Sequence, residues 1–229
     1  MLSLKLKSGR ELYYLSEVEV QIGIDENGGM EKYGNELKGT GDSDLDTHTY
    51  EGGFKIWECT TDLCEFIEEN SEFYKGKRVL ELGCGAALPA ILTSIHGASH
   101  CFVQDFNSSV IQCFTLPNFS SNEGTAQVES AAIPWEKIPE TVQNNSYDVI
   151  LSSETIYNEN DYKVLHDAVV SALAKDGVAY FAAKMFYFGV GGNVPTFCDF
   201  VNNAGILEAK IIKFIDASVQ RVIVEIRRK

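Results

Sequence analysis

Residues 79–90 read "VLELGCGAALPA". An apolar run of strand type, carrying one acid at Glu81, enters a turn containing Gly83 and Gly85, and a helix of small residues opens behind it. Glycine at those two positions lets the backbone turn sharply and approach a ligand where a Cβ would clash. Such a turn, at the carboxyl end of a first strand, suits a ligand that carries adenosine. A dinucleotide site would extend the pattern to G-x-G-x-x-G, seating a pyrophosphate on the helix N-terminus. Here the sixth position is Leu88.

Outward from this stretch the chain alternates strands and helices. "HCFVQDF" reads as the second strand, followed by a helix from about Ser109 toward Asn118. "AQVESAA" is a third strand, "YDVILSSE" a fourth and "VAYFAAKMF" a fifth. "NDYKVLHDAVVSALAKDG" reads as an amphipathic helix stopped by Gly177, and residues 194–204 as another helix. The run "WECTTDLCEFIEENS" sets Leu63, Phe66 and Ile67 on one helical face. "LEAKIIKFI" and "SVQRVIVEIRR" close the chain with a short link, so they must pair antiparallel, because a parallel pair needs a long crossover. The expected fold class is α/β: a seven-stranded Rossmann-like sheet, mostly parallel, with a C-terminal antiparallel hairpin and helices on both faces. That ending is the architecture of the seven-stranded methyltransferases. It favours S-adenosylmethionine, which has no phosphates and tolerates Leu88, over a nicotinamide cofactor.

Polar and aromatic residues stand at successive strand ends. Asp105 ends the second strand, where a carboxylate accepts ribose hydroxyls. Trp135 follows the third, where an aromatic face stacks on adenine, and Ser153 ends the fourth, beside the methionine moiety. Each has a plainer reading, as helix cap, core residue or turn former; their common position favours a cofactor site.

Before the orderly part, residues 1–24 read as a short hairpin or edge strands, and 25–48, rich in glycine and acids, as a mobile loop or disordered link. Residues 1–49 are therefore set apart from a methyltransferase domain at 50–229. The 229 residues suffice for one α/β domain, and no run approaches a membrane span. With no signal-peptide core, a soluble intracellular protein, cytoplasmic or nuclear, is expected. The six cysteines form no CxxC pair, and neither a disulfide framework nor a metal site is expected. A net charge of −14 repels nucleic acid and acidic lipid and attracts basic partners. A monomer acting on a basic protein is the expectation.

Taken together, "YEGGFKIWECTTDL", "VLELGCGAALPA", "QDFN", "SSETIYN" and "YFGVGG" resemble the protein-histidine N-methyltransferases of the seven-strand, S-adenosylmethionine-dependent superfamily. The resemblance runs from about Asp44 to Glu225. It implies methylation of one histidine of a large-subunit ribosomal protein on its τ nitrogen, with S-adenosyl-L-homocysteine as the second product. It places Ile56, Trp57, Glu58, Cys59 and Thr60 as a lid on the cofactor, with Glu81 orienting the loop and the cofactor's cationic amino end. Gly83 and Gly85 supply the loop. Gln104, Asp105 and Phe106 lie at the ribose, Ile133, Pro134 and Trp135 at the adenine, and Ser153 at the methionine end. The departure is Ala86-Ala87, where a glycine-containing pair is more usual.

Glu154, Tyr157 and Asn158, just past the fourth strand, are the candidate catalytic residues. A histidine near pKa 6.5 is already mostly neutral and needs no strong base, only a partner for its other ring N–H. Tyr187, Phe188, Gly189 and Gly191 of "YFGVGG" would wall the substrate. A protein-lysine methyltransferase on the same fold and a non-enzymatic cofactor-binding module are the alternatives.

Overall fold

The computed structural model describes residues 1–37, 49–50 and 52–229. It opens with an antiparallel hairpin of β1 (Leu2–Lys5) and β2 (Glu11–Tyr14). The alternation does not continue as strand. Residues 17–26 form α1 (Glu17–Glu26), capped at Ser16, whose hydroxyl takes the Glu19 N–H while the Glu19 carboxylate takes the Ser16 N–H. This reciprocal box satisfies two otherwise open donors, and it outweighs the strand-like Val18/Val20 alternation. Val20 and Ile24, one helical turn apart, are the residues α1 buries.

The stretch expected to be a loop contains α2 (Gly29–Leu37), which buries Tyr33. Its Glu36 carboxylate accepts the Ser109 N–H and the hydroxyls of Ser108 and Ser109. The rest of that expectation, residues 38–48, lies outside the described residues. Leu6, Leu12, Val20, Ile24 and Tyr33 belong to the same buried cluster as Leu63, Val79, Leu88 and Ile91.

The main sheet holds β3 (Arg78–Leu82), β4 (His100–Asp105), β5 (Gln127–Ala132), β6 (Tyr147–Ser153), β7 (Leu173–Lys184), β8 (Leu207–Ile215) and β9 (Arg221–Arg228). Their order is β5-β4-β3-β6-β7-β9-β8. The first four contacts are parallel, and β9 pairs antiparallel with both β7 and β8, as the short terminal link required. The helices are α3 (Glu58–Glu69), α4 (Leu88–Ile95), α5 (Ser108–Val110), α6 (Leu116–Ser120), α7 (Ile138–Thr141), α8 (Tyr162–Ala172) and α9 (Val194–Ala204), with a π-helical turn at Ile111–Thr115 between α5 and α6.

Strand periodicity divides the core. Val79 packs with Leu63, Ile67 and Ile91 on one face, whereas Leu80 and Leu82 pack with Ile138, Leu165 and Phe197 on the other. The α8 helix ends at Ala172, five residues before the expected glycine stop, and Leu173 already pairs with Tyr147 as strand. Arg228 of β9 explains the difference: its guanidinium donates to the carbonyls of Val170 and Leu173, closing the helix end. Gly177 is instead a crowded strand position, where a Cβ would stand 3.0 Å from the Tyr147 carbonyl oxygen.

Candidate active site

The parallel strands point their carboxyl ends at one rim, and the site is built there. The turn after β3 is shaped by left-handed residues: Gly83 at φ 64° and Gly85 at φ 48°. A Cβ on Gly83 would meet the Thr155 methyl at 2.8 Å, and one on Gly85 would stand 3.0 Å from the Gly53 carbonyl oxygen. Both positions therefore require glycine for conformation and for space. Ala87 also takes the left-handed conformation, at φ 57°, so the unusual alanine carries strain that glycine would not.

Neighbouring strands hold this turn by its N–H groups. Gly83 N–H donates to Gln104 Oε1 at 3.1 Å, and Gly85 N–H to Asp105 Oδ2 at 2.9 Å. Gln104 also accepts the Trp135 indole N–H at 3.0 Å and donates to the Ile133 carbonyl. It lies behind the turn and lines a groove with Phe106 and Trp135 that adjoins the main cavity. Its amide reads the loop and fixes the tryptophan.

Glu81 is displaced from expectation for a simpler reason. Alternation puts it on the same sheet face as Val79, under α4, where one carboxylate oxygen accepts the Ala90 N–H at 2.8 Å. The other oxygen is buried without a partner, and burial raises the carboxyl pKa to about 8. Glu81 braces the helix and does not line the cavity.

The cavity itself occupies about 920 Å³, its open mouth included, with Gly83, Gly85, Asp105, Phe106, Trp135 and Ser153 along one side. Ile56, Trp57 and Thr60 face them across it, and Thr60 Oγ1 lies 3.1 Å from Ser153 Oγ. Ile133 and Cys59 are not in the wall, while Pro134 lines the adjoining groove beside Phe106 and Trp135. Asp105 accepts the Gly85 N–H on one oxygen at 2.9 Å and the Asn107 N–H on the other at 3.2 Å, which fixes its carboxylate at the edge of the cavity.

Beyond Ser153 the wall continues with Glu154, Thr155, Tyr157, Lys184, Tyr187 and Val190. Glu154 sits in the left-handed region at φ 59°, which turns its carboxylate inward, and its side chain is only 8% exposed. Tyr187, its phenol pushed up chiefly by burial and then by the nearby Glu154 charge, and Cys59, its thiol pushed up for the same two reasons, lie close to that carboxylate. Lys184 at the end of β7 places its ammonium 3.4 Å from Glu154 Oε1 and 3.0 Å from Glu58 Oε2. Burial opposes that charge, but the two carboxylates outweigh it and raise the lysine's pKa. Lys184, Lys55, Thr155, Gly52 and Gly53 are wall residues that were not picked out in the sequence, although all but Lys184 and Thr155 lie in the "YEGGFK" stretch.

Asn158 is not brought in. Its side-chain oxygen accepts the Asn160 N–H at 3.1 Å and caps the turn before α8. Of "YFGVGG", Tyr187 and Val190 reach the cavity, Phe188 is 84% exposed, and Gly189 and Gly191 have positive φ with nothing near a built Cβ. The crowded glycine is Gly192, whose Cβ would stand 2.2 Å from the Ile156 carbonyl oxygen. Among the described residues no group of three or more His, Cys, Asp or Glu could hold a metal ion, and no helix is long and apolar enough to cross a membrane.

A family model described as "Lysine methyltransferase" matches residues 43–187. A protein named "Histidine protein methyltransferase 1 homolog" from Dictyostelium discoideum is 35% identical over 190 residues, spanning 82% of this chain and 61% of that protein. The one of that name from Mus musculus is 35% identical over 215 residues, 82% of this chain and 59% of the relative. The chain thus spans about three-fifths of the length of these curated relatives. Among solved structures, a Burkholderia thailandensis 1,6-didemethyltoxoflavin-N1-methyltransferase with bound S-adenosylhomocysteine superposes with a TM-score of 0.57 at 11% identity, covering 75% of this chain and 79% of that one. The last likeness concerns the fold. The sheet order, the glycine turn and the family match over more than half the chain lead to one conclusion: the protein belongs to the S-adenosylmethionine-dependent methyltransferase family described as lysine methyltransferase.

Proposed function

We propose that this chain is an S-adenosylmethionine-dependent protein-histidine N-methyltransferase. The observation that carries the reading is where two stretches of the resemblance, "YEGGFKIWE" and "YFGVGG", fall: Gly52, Gly53, Lys55, Ile56 and Trp57 of the first and Tyr187 and Val190 of the second wall the cavity that the glycine turn opens. The names of the curated relatives support the same acceptor. Following the resemblance, the substrate is a large-subunit ribosomal protein, modified on the τ nitrogen in the cytoplasm or nucleus. The family description keeps lysine methylation as the second reading.

The wall fits the cofactor. Two glycine positions without Cβ lie beside Asp105, whose carboxylate lines the cavity where ribose hydroxyls would donate to it, and beside the Trp135 ring, which is fixed by Gln104 for stacking on adenine. Ser153 and Thr60 face the methionine end. When bound, S-adenosylmethionine supplies a methyl group carried on a sulfonium.

The residues beyond Ser153 then have only to position the acceptor and exclude water. A neutral imidazole attacks without prior proton loss, whereas a lysine at pH 7 must first shed a proton at a cost of about 4–5 kcal/mol. Glu154 is surrounded by Tyr187, Cys59 and Lys184, which suits a fixed acceptor for a ring N–H rather than a mobile base. Tyr157 and Tyr187, with ring centroids 6.3 Å apart, wall the acceptor.

Incubation with labelled cofactor and purified large-subunit ribosomal proteins, followed by amino-acid analysis, tests the proposal. Methylhistidine is expected, with a single-turnover rate that rises through about pH 6–7 as the imidazole loses its proton. Methyl-lysine as the product would replace the acceptor. Cofactor binding with no turnover on any protein would leave a binding module.

A further inference from the structure

The inner end of the cavity holds an ammonium of the protein's own. Lys184 Nζ lies between Glu154 and Glu58 at 3.4 and 3.0 Å and stands 5.4 Å from the centroid of the Trp57 ring. Lys55 Nζ lies over the same ring at 4.6 Å. A lysine substrate would need two things at this end: a carboxylate to stabilise its charge and an aromatic face to receive it. Both are already engaged by ammonium groups of the chain. A neutral imidazole asks for neither, and it gains a hydrogen-bond acceptor and flat aromatic walls.

We infer that Lys184 is a specificity-determining residue, which excludes cationic acceptors from the cavity and so selects a neutral ring. The inference rests on the histidine reading above, and it makes the selection electrostatic rather than steric. Lys184 touches Glu154, a wall group, and acts on the acceptor through charge. It takes part in no bond-making.

The carboxylate pair gives a test with opposite signs. Replacing the lysine, Lys184→Met, leaves Glu154 and Glu58 uncompensated and should draw cations in. Replacing the outer acid, Glu58→Gln, leaves Lys184 less neutralised and should repel them further. Glu58 is more than half exposed, so that change does not threaten the core. The probes are n-butylamine and 4-methylimidazole at about pH 8.5, where the amine is a cation and the imidazole is neutral. Binding to the S-adenosylhomocysteine-loaded full chain is read by tryptophan fluorescence.

The ratio of amine to imidazole affinity should rise about tenfold in Lys184→Met, as removal of a like charge at this range predicts, stay at the wild-type value in Lys184→Arg, and fall in Glu58→Gln. Unchanged ratios, or a shift of the same sign in Lys184→Met and Glu58→Gln, overturn the inference. A Lys184→Met protein that no longer binds S-adenosylhomocysteine is set aside, and the Glu58→Gln sign then decides. Turnover separates this inference from the proposal beneath it. Methylhistidine from wild type with no gain of methyl-lysine in Lys184→Met removes the role of Lys184 alone. Methyl-lysine from wild type removes the histidine reading itself.

Discussion

Two glycine-rich loops sit on the same rim, and they are held by different means. The turn after β3 has one backbone bond to its neighbour, Cys84 N–H to the Gln104 carbonyl, and is otherwise gripped by side chains from outside it: Gln104 on Gly83, Asp105 on Gly85, and Glu81 on α4 behind it. The loop after β7 is held by backbone to backbone: Gly192 N–H to the Tyr157 carbonyl at 2.8 Å and Tyr187 N–H to the Gly192 carbonyl at 2.9 Å. In the first loop Gly83 is pressed against the Thr155 methyl and Gly85 against the Gly53 backbone. In the second, Gly189 and Gly191 have room, and only Gly192 is pressed against another segment. Glycine content alone therefore does not separate a binding surface from a packing contact. What surrounds each Cβ position does.

The sharpest break of this contrast is Gly192→Ala. Its methyl would overlap the backbone of Ile156 and Tyr157, which cannot move as the end of a flexible side chain would. A loss of about 3 kcal/mol or more is expected in urea unfolding, with detachment of the loop from Tyr157. Gly189→Ala, strained only by its φ of 88°, should lose no more than about 1–2 kcal/mol. Equal losses would dissolve the distinction between the crowded and the open glycines.

Glu81 tests the bracing of the first loop. Its folded-state pKa is raised from 4.5 to about 8, so between those values the unfolded chain is ionised while the native one holds its proton. Stability is full below the unfolded value, falls as pH rises toward about 8 at up to ~1.4 kcal/mol per pH unit, and is flat above it. Glu81→Gln retains an acceptor for Ala90 and should abolish that slope, as measured by urea titrations from pH 5 to about 9. A slope that persists in the mutant would assign it to other groups.

Asp105→Ala removes the acceptor for Gly85 and Asn107 together with the carboxylate proposed to meet a ribose. Affinity for S-adenosylhomocysteine should fall at least about tenfold by calorimetry, given ~1.5–3 kcal/mol for each charge-assisted bond. The smallest effect belongs to Ala87→Gly. Relief of left-handed strain, about 1–2 kcal/mol, is offset by loss of a buried methyl and a more flexible unfolded chain, so a net change under about 1 kcal/mol is expected. A large loss would mean that the Ala87 methyl is a packing element of the turn.

Regular elements were legible wherever local chemistry decided them. The apolar runs at Val79, Phe102 and Ile150, the glycine turn, Gly97 at the end of α4 and the terminal hairpin all follow from periodicity and backbone freedom within a few residues. The misreadings have two sources. At Val18–Val20 a strand-like alternation competed with the Ser16/Glu19 capping box four residues wide, and the box won because it satisfies the helix's open donors. At Ala172 the helix end depends on Arg228, 55 residues from the Leu173 carbonyl it meets, which no local pattern carries.

For the site, the residue types and their strand-end positions were set by sequence: a glycine turn, an acid at Asp105, an aromatic ring at Trp135 and a hydroxyl at Ser153, all of which the fold gathers into one wall. Which way each side chain points was decided only in three dimensions. Strand parity sends Glu81 under α4, Gln104 spends its amide on Gly83, Ile133 and Trp135, and Asn158 caps its own turn. Lys184 stood unremarked inside an ordinary strand because its meaning lies in Glu58 and Glu154, which come from two other elements. A charge acquires a role through what neutralises it, and that pairing exists only once the chain has folded.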